Sequence, residues 1–106
     1  MGKKRRPRVT VVAEVHRLKG KREGGVLKDE AWWEDGKVVA YNLAYINRRL
    51  CRVDHGRVLG YDNSHGYHHR HVMGRIEAVE YTSYGAIAER FFQEVHELWR
   101  IEDAED

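Results

Sequence analysis

Apolar and polar residues alternate along much of the first eighty positions, and this period of two predicts β-strands. Short polar or glycine-containing segments divide the alternating stretches, and Asp35-Gly36 favours a two-residue hairpin turn. On one face of the first strand, the side chains expected to point into the core are Val9, Val11, Ala13 and Val15. The predicted strands span residues 9–15, 26–34, 37–53, 57–62, 68–73 and 75–81, and residues 47–49 could interrupt the third.

The last predicted element is a helix, because apolar residues recur there with a period of 3.6. This apolar stripe consists of Ile87, Phe91, Val95, Leu98 and Trp99. Thr82 or Ser83 can cap the start of the helix, and Glu89, Glu94 and Glu97 are expected to face water. The stripe has to be buried on the sheet, so the expected fold class is α+β. It is a curved antiparallel β-meander of about five to six strands, packed by one C-terminal α-helix.

The length of 106 residues predicts one domain. No apolar run approaches the roughly 20 residues that a membrane-spanning helix needs. The basic start of the chain lacks the apolar stretch of a secretory signal. Cys51 is the single cysteine, so a disulfide framework within the chain is excluded and a small buried residue is expected there. These features together favour a cytoplasmic location.

The formal net charge of +2 hides a strong separation of charge along the chain. Residues 1–25 hold nine Lys and Arg against two acids, whereas residues 76–106 hold two Arg against nine acids. A basic first part is typical of a protein that meets a polyanion. We therefore expect a basic arm at residues 1–8, one α+β domain at 9–101 and an acidic tail at 102–106.

Histidine is concentrated around the fourth and fifth predicted strands, which hold or adjoin five of the seven histidines. Successive side chains of a strand point to opposite faces, so His69 and His71 are expected to share one face, with His68 and Arg70 on the other. Asp62 ends the neighbouring strand, and the short connection brings it close to them. Clustered ionisable groups of this kind often mark a functional site.

One chemistry that suits these residues is cleavage of RNA without a metal. His69 and His71 would act as general base and general acid, because histidine titrates near neutral pH, and Asp62 would orient an imidazole. Both imidazoles lie on one strand face, so His65 or His68 could supply the opposed group that in-line attack needs. The residues expected to bind the substrate are Asn63, Arg70, Arg57 and Tyr61.

The same segment also suits a metal ion, with His69, His71 and Asp62 as ligands and open positions for water or substrate. If this segment has no function, it is expected to be a polar, solvated hairpin. The Trp32-Trp33 pair is expected to combine core packing with a partner interface rather than base stacking.

One motif resembles the TumE family, the small toxins of toxin–antitoxin pairs. It reads Arg57-Val58-Leu59-Gly60-Tyr61-Asp62-Asn63, then His65-Gly66, His69-Arg70-His71 and Gly74. The resemblance implies a cytoplasmic, growth-inhibiting toxin that acts through RNA and is neutralised by a cognate antitoxin protein. The positions that match the pattern are Asp62, Asn63, His69 and His71, with Arg70 between the last two.

The expected function is therefore the toxin component of a toxin–antitoxin system, acting as a His-dependent endoribonuclease without a cofactor. Two alternatives stay open. One is a non-catalytic module that binds RNA, the ribosome or DNA through an Arg-rich sheet, and the other is a nuclease that uses a divalent metal. A protein that only binds other proteins ranks below these. RNA and the antitoxin are the expected partners, membrane contact is not expected, and a homodimer stays open.

Overall fold

The computed structural model describes residues 9–104, apart from the side chain of His65. The predicted basic arm at residues 1–8 lies outside the described residues. The strands are β1 (Val9–Arg17), β2 (Val26–Glu34), β3 (Lys37–Ile46), β4 (Arg57–Asp62), β5 (His69–Val72) and β6 (Arg75–Ala78). They are followed by one long helix, α1 (Tyr84–Ala104). Single 3₁₀ turns lie at Gly20–Arg22, Asp54–Gly56 and Ser64–Gly66.

The six strands form one open antiparallel sheet, in which every strand pairs with its neighbour in sequence. This arrangement confirms the predicted α+β meander with a C-terminal helix. Asp35 and Gly36 reverse the chain between β2 and β3 with φ values of 50° and 77°. Both values are positive, as a type I′ hairpin turn requires.

The hydrophobic core lies between α1 and the middle of the sheet. Ser83 caps the helix, because its Oγ accepts a hydrogen bond from the Ala86 N–H at 3.1 Å. The helix then buries its predicted apolar stripe against β3 and β4. The largest completely buried side chains are Leu43, Tyr45, Leu59, Tyr61, Phe91 and Val95. Cys51 is also buried, as expected.

The other face of the sheet is left uncovered by α1, and we call it the open face. Cross-strand pairing places its central side chains together, since residues opposite each other point the same way. These residues are Asn42, Ala44, Gly60, Asp62, His69 and His71. Any ligand that approaches the predicted histidine site has to come from this side.

The prediction that one face of β1 is buried is wrong. All nine residues of β1 are exposed, including Val9, Val11 and Val15. The reason is the position of β1 at the edge of the sheet, whereas α1 packs over β3 and β4. An alternating pattern predicts a strand but does not tell which strands the helix covers.

The prediction that β3 extends to Val53 is also wrong, because the strand ends at Ile46. Asn47 turns the chain there: its carbonyl accepts the N–H of Cys51 at 3.0 Å and its Oδ1 accepts the N–H of Arg49 at 3.0 Å. The loop to β4 exposes Arg48, Arg49 and Arg52, so these arginines do not belong to the sheet.

Two expectations about the acidic end of the chain change. Glu94 does not face water but lies partly buried beside Tyr61 and Arg70. The helix continues to Ala104, past the predicted start of the tail, and Glu102 accepts a hydrogen bond from the Tyr45 hydroxyl at 3.0 Å. Residues 105–106 lie outside the described part. Within residues 9–104, no helix has the length and apolarity that crossing a membrane requires.

Candidate functional site

Strand pairing brings the His-x-His pair to the predicted carboxylate. Asp62 of β4 lies opposite His69 of β5, and Gly60 lies opposite His71. All three polar side chains therefore project from the open face, as the alternation of the strands predicts. They are nevertheless well buried, with exposures of 6% for Asp62, 3% for His69 and 4% for His71.

Gly60 has no side chain, and this leaves room for the side chain of Arg57 in the site. A Cβ at this position would lie 2.6 Å from Cδ of Arg57 and 3.1 Å from the carbonyl oxygen of Leu43. A substituent there would therefore clash with the side chain of Arg57. Its absence lets Arg57 lie against the backbone of Gly60 and reach Asp62.

Asp62 is the centre of the site, and both of its oxygens have several partners. Oδ1 lies 2.7 Å from Nε2 of His69, and it accepts hydrogen bonds from the backbone N–H of Ser64 at 3.1 Å and from its hydroxyl at 2.8 Å. Oδ2 lies 3.1 Å from Nε2 of His71 and accepts a hydrogen bond from Nη1 of Arg57 at 3.2 Å. One carboxylate thus joins two imidazoles and one guanidinium.

Asp54 supplies a second carboxylate, which was not among the predicted site residues. Its Oδ2 lies 3.0 Å from Nδ1 of His71, and Arg57 donates to it through Nη2 at 2.8 Å and Nε at 3.1 Å. The Asp-x-x-Arg spacing was the signal in the sequence. We call Asp54, Arg57, Asp62, His69 and His71 together the His–Asp cluster.

The electrostatics of the His–Asp cluster follow from burial and from Arg57. Burial raises the pKa of the Asp54 carboxyl, but the hydrogen bonds and charge of Arg57, helped by His71, outweigh this and hold its pKa below the usual 3.8. Burial lowers the pKa of His71 below 6.5, and Arg57 lowers it further, although both neighbouring carboxylates oppose this. The site therefore combines an ionised carboxylate with a neutral imidazole at physiological pH.

Four members of the His–Asp cluster, all except Asp54, form the polar floor of a pocket of about 680 Å³ on the open face. The polar floor is surrounded by apolar and aromatic side chains, which is the common composition of a ligand site. These surrounding side chains include Val9, Trp32, Val39, Tyr67 and Ile76. The ring of Tyr67 lies 4.8 Å from that of His69, and 48% of Tyr67 is exposed. Trp32 thus borders the pocket, whereas Trp33 lies outside it.

Two of the predicted substrate-binding residues point away from this pocket. Tyr61 packs edge-on against Phe91 on the helix side and donates its hydroxyl hydrogen to Glu94. Arg70 forms ion pairs with Glu94 and, at 2.8 Å, with Glu77. Both side chains therefore connect the sheet to α1 or to β6 rather than joining the His–Asp cluster.

Two further predicted residues, His68 and Asn63, do not join the cluster. His68 stacks on Tyr81 with ring centroids 3.8 Å apart, and its Nδ1 lies 2.8 Å from the hydroxyl of Tyr41. Asn63 lines the pocket, but its side chain is held by the backbone of β3, since it donates to the carbonyl of Val39 at 3.0 Å. The predicted role of His65 concerns a side chain outside the described residues.

The cluster also contains one set of potential metal ligands. Asp62, His69 and His71 can each offer one ligand atom, and these three atoms lie within 4.8 Å of one another. Two imidazoles and one carboxylate leave positions for water or substrate at a metal ion.

Comparison with known proteins gives a family for the chain. Neither a search of curated proteins nor a search of solved structures finds a match. A family model described as toxin TumE matches residues 6–99, which includes the whole sheet, the His–Asp cluster and most of α1. The match covers most of the chain, and the chain belongs to the TumE family of toxins.

Proposed function

We propose that this toxin cleaves RNA at the His–Asp cluster. The observation that carries the proposal is the double contact of the buried Asp62 carboxylate with His69 and His71, on the floor of a pocket that opens to one face of the sheet. A buried, charged and hydrogen-bonded network is costly unless every member is satisfied, and such networks are concentrated at active sites.

The proposed reaction needs groups that move protons and groups that stabilise charge. The 2′-oxygen of RNA attacks phosphorus and loses its proton, the bond to the 5′-oxygen breaks, and the 5′-oxygen takes up a proton. The products are a 2′,3′-cyclic phosphate and a 5′-hydroxyl end. In the reaction without a metal, one of His69 and His71 would take the proton from the 2′-oxygen and the other would give a proton to the 5′-oxygen. Arg57 would stabilise the negative charge on the phosphoryl group.

Two kinds of exposed side chain offer contacts for an RNA strand. Tyr67 exposes an aromatic ring beside His69, and base stacking on such a ring is worth about 1–3 kcal/mol. Arg48, Arg49 and Arg52 are exposed in the loop that leads to Asp54, where they could contact phosphates. Arg57, in contrast, is already paired with two carboxylates, so its role is local to the cluster.

A cognate antitoxin protein is the partner that a toxin of this family requires. We place its inhibitory contact on the open face, because covering the pocket would exclude RNA. A chain that only binds RNA would not need two buried imidazoles on a carboxylate, and this favours catalysis over simple binding.

The test is to express the chain without an antitoxin and to measure growth arrest and the RNA ends that accumulate. The His69→Gln and His71→Gln variants are compared with His16→Gln, which removes an exposed imidazole of β1. Wild type and His16→Gln are expected to arrest growth and produce 5′-hydroxyl ends, whereas the two cluster variants are not. Circular dichroism shows whether each variant is folded.

Two results would contradict the proposal. Full toxicity in both folded cluster variants would remove the His–Asp cluster from the mechanism. Purified wild type that binds RNA with a steep salt dependence, but leaves every strand intact, would instead support the non-catalytic alternative.

A further inference from the structure

We infer that the His–Asp cluster binds a divalent transition-metal ion through Nε2 of His69, Nε2 of His71 and the carboxylate of Asp62. The inference rests on the same site as the proposed function. The imidazoles of His69 and His71 would there bind a metal ion instead of transferring protons. The existence of the metal site can be tested without any RNA, so the two proposals can fail separately.

The first argument comes from the hydrogen bond that His69 makes on its outer side. Nδ1 of His69 lies 3.1 Å from the carbonyl oxygen of Tyr67. A carbonyl oxygen can only accept, so Nδ1 carries the proton. Nε2 then faces Oδ1 of Asp62 at 2.7 Å. A contact this short between a ring nitrogen and a carboxylate oxygen needs a positive charge, which either a proton on Nε2 or a metal ion bound by both atoms supplies.

The second argument is that His71 repeats the same arrangement. Its Nδ1 lies 3.0 Å from Oδ2 of Asp54, and its Nε2 faces Oδ2 of Asp62 at 3.1 Å. When the proton lies on Nδ1 and is donated to Asp54, the Nε2 lone pair points toward Asp62 and can bind an ion. Metal-binding histidines almost always show this pattern, with the outer N–H donated to a carboxylate or a backbone carbonyl.

The spacing of the inner atoms is compatible with an ion after small side-chain movements. The three ligand atoms lie within 4.8 Å of one another. Donor atoms around a tetrahedral Zn²⁺ ion are about 3.3 Å apart, given metal–ligand distances of about 2.0 Å. The contact of Asp62 with His69 therefore has to open by less than about 1 Å. The side of the cluster that faces the pocket remains available for water or a phosphate oxygen.

The charge of the cluster gives a third argument. The cluster places two carboxylates, Asp54 and Asp62, around the one guanidinium of Arg57, so carboxylates outnumber guanidinium groups at a site proposed to bind phosphate. A divalent ion reverses this balance. It would also neutralise charge on the phosphoryl oxygens during cleavage, and His69 and His71 would then contribute by holding the ion.

The ligand set selects the class of ion. Two imidazoles with one carboxylate suit Zn²⁺, Mn²⁺ or Fe²⁺, whereas Mg²⁺ and Ca²⁺ prefer oxygen ligands. Cys51 does not contribute, because its Sγ donates to the carbonyl of Val53 at 3.4 Å. Zn²⁺ and Mn²⁺ are therefore the ions to test.

The experiment titrates untagged protein with Zn²⁺ and with Mn²⁺ by isothermal calorimetry, after a chelator has been used and dialysed away. Wild type is expected to bind one ion per chain. His69→Gln and His71→Gln should weaken binding at least 100-fold. Asp54→Asn should weaken it 10- to 100-fold, because it replaces the carboxylate that holds His71 and Arg57 but leaves all three ligands in place. His16→Gln controls for binding to exposed imidazoles and should bind as wild type does.

The outcomes separate the metal site from the RNA reaction. Wild type without stoichiometric binding of either ion, or unchanged affinity in both His variants, would overturn the inference. The titration of wild type tests the inference by itself. The inference can therefore be overturned even if a variant misfolds. RNA cleavage in chelator by protein that binds no metal would leave the proposed function intact. Metal binding by a protein that never cleaves RNA would support the site and contradict that function.

Discussion

Asp62 and His69 lie directly opposite each other in the pairing of β4 and β5, with Oδ1 of the carboxylate 2.7 Å from Nε2 of the imidazole. Antiparallel pairing fixes this relationship, because residues opposite each other project from the same face. The outer nitrogen of His69 is held by the carbonyl of Tyr67, so the ring cannot turn away without losing a hydrogen bond. The register of the two strands and the outer hydrogen bond therefore both hold the imidazole against the carboxylate.

We predict that Asp62→Asn abolishes RNA cleavage, with a loss of 100-fold or more, while the protein stays folded. An Asn side chain has the same shape, but its single oxygen can replace either Oδ1, which accepts from Ser64, or Oδ2, which accepts from Arg57, and not both. The free energy of unfolding of the metal-free protein should therefore fall by about 1–3 kcal/mol. Urea unfolding and RNA cleavage of the same preparation measure the two effects.

The matched control for this prediction is Asp35→Asn. Asp35 occupies the hairpin turn with a φ of 50°, a conformation that Asn adopts readily. This variant should keep both stability and cleavage. If Asp62→Asn cleaved RNA at the wild-type rate, the carboxylate would have no part in the reaction.

The sequence was informative where a local pattern decides the structure. The alternation around residues 68–73 was enough to place His69 and His71 on one face, and the 3.6 period predicted the stripe of α1. Both patterns depend only on the geometry of a single element. The order and spacing of the motif around Asp62 likewise indicated the TumE family that the comparison shows.

Features that depend on contacts between distant parts of the chain could not be predicted in this way. The contact of Asp54 with His71 joins residues 17 positions apart. It forms only when the turn before β4 lies next to β5 in the folded protein. The exposure of β1 depends on where α1 lies across the sheet. The same holds for Arg70, whose partner Glu94 comes from α1.

A second prediction separates the two arginines that the sequence suggested for substrate binding. Arg57→Gln should reduce the rate of RNA cleavage by 100-fold or more, because Arg57 contacts both carboxylates of the cluster. Arg70→Gln should leave the rate per folded molecule within about threefold of wild type, since its partners lie on the helix side. It should instead lower the midpoint of urea unfolding. Steady-state cleavage assays on folded protein distinguish the two variants.

This second prediction would be contradicted by equal losses of cleavage rate in the two variants. That result would mean that Arg70 leaves Glu94 and reaches the substrate when RNA binds. Glu94→Gln offers an independent check, because it removes the partner of Arg70 without changing the open face.

A third prediction concerns the core that supports the cluster from below. Phe91 is fully buried and packs edge-on against Tyr61, next to Asp62 in sequence. Phe91→Ala should lower the free energy of unfolding by about 3–5 kcal/mol, because it opens a cavity under β4. Phe92, its neighbour on α1, is only partly buried, so Phe92→Ala should cost about 1–2 kcal/mol. Similar losses in the two variants would show that the helix packs on the sheet with a different face.

The last prediction concerns the pH dependence of stability through His68. Burial lowers the pKa of His68 below its usual 6.5, and the neighbouring His69 lowers it further. The unfolded chain therefore binds a proton at a higher pH than the folded protein does. The stability that the neutral ring contributes, through its stack on Tyr81, is complete above pH 6.5 and is lost as the pH falls through the folded pKa.

The measurement compares urea unfolding of wild type and His68→Asn at pH 7.5 and at pH 5. Wild type should be the more stable protein at pH 7.5, and the difference between the two should shrink at pH 5. Titration of His71 in the same range occurs in both proteins and cancels in the difference. Asp54 titrates below pH 3.8 and does not contribute in this window. A difference that grew on acidification would mean that the stacked ring is stabilised by its positive charge, which is the opposite of the sign derived from burial.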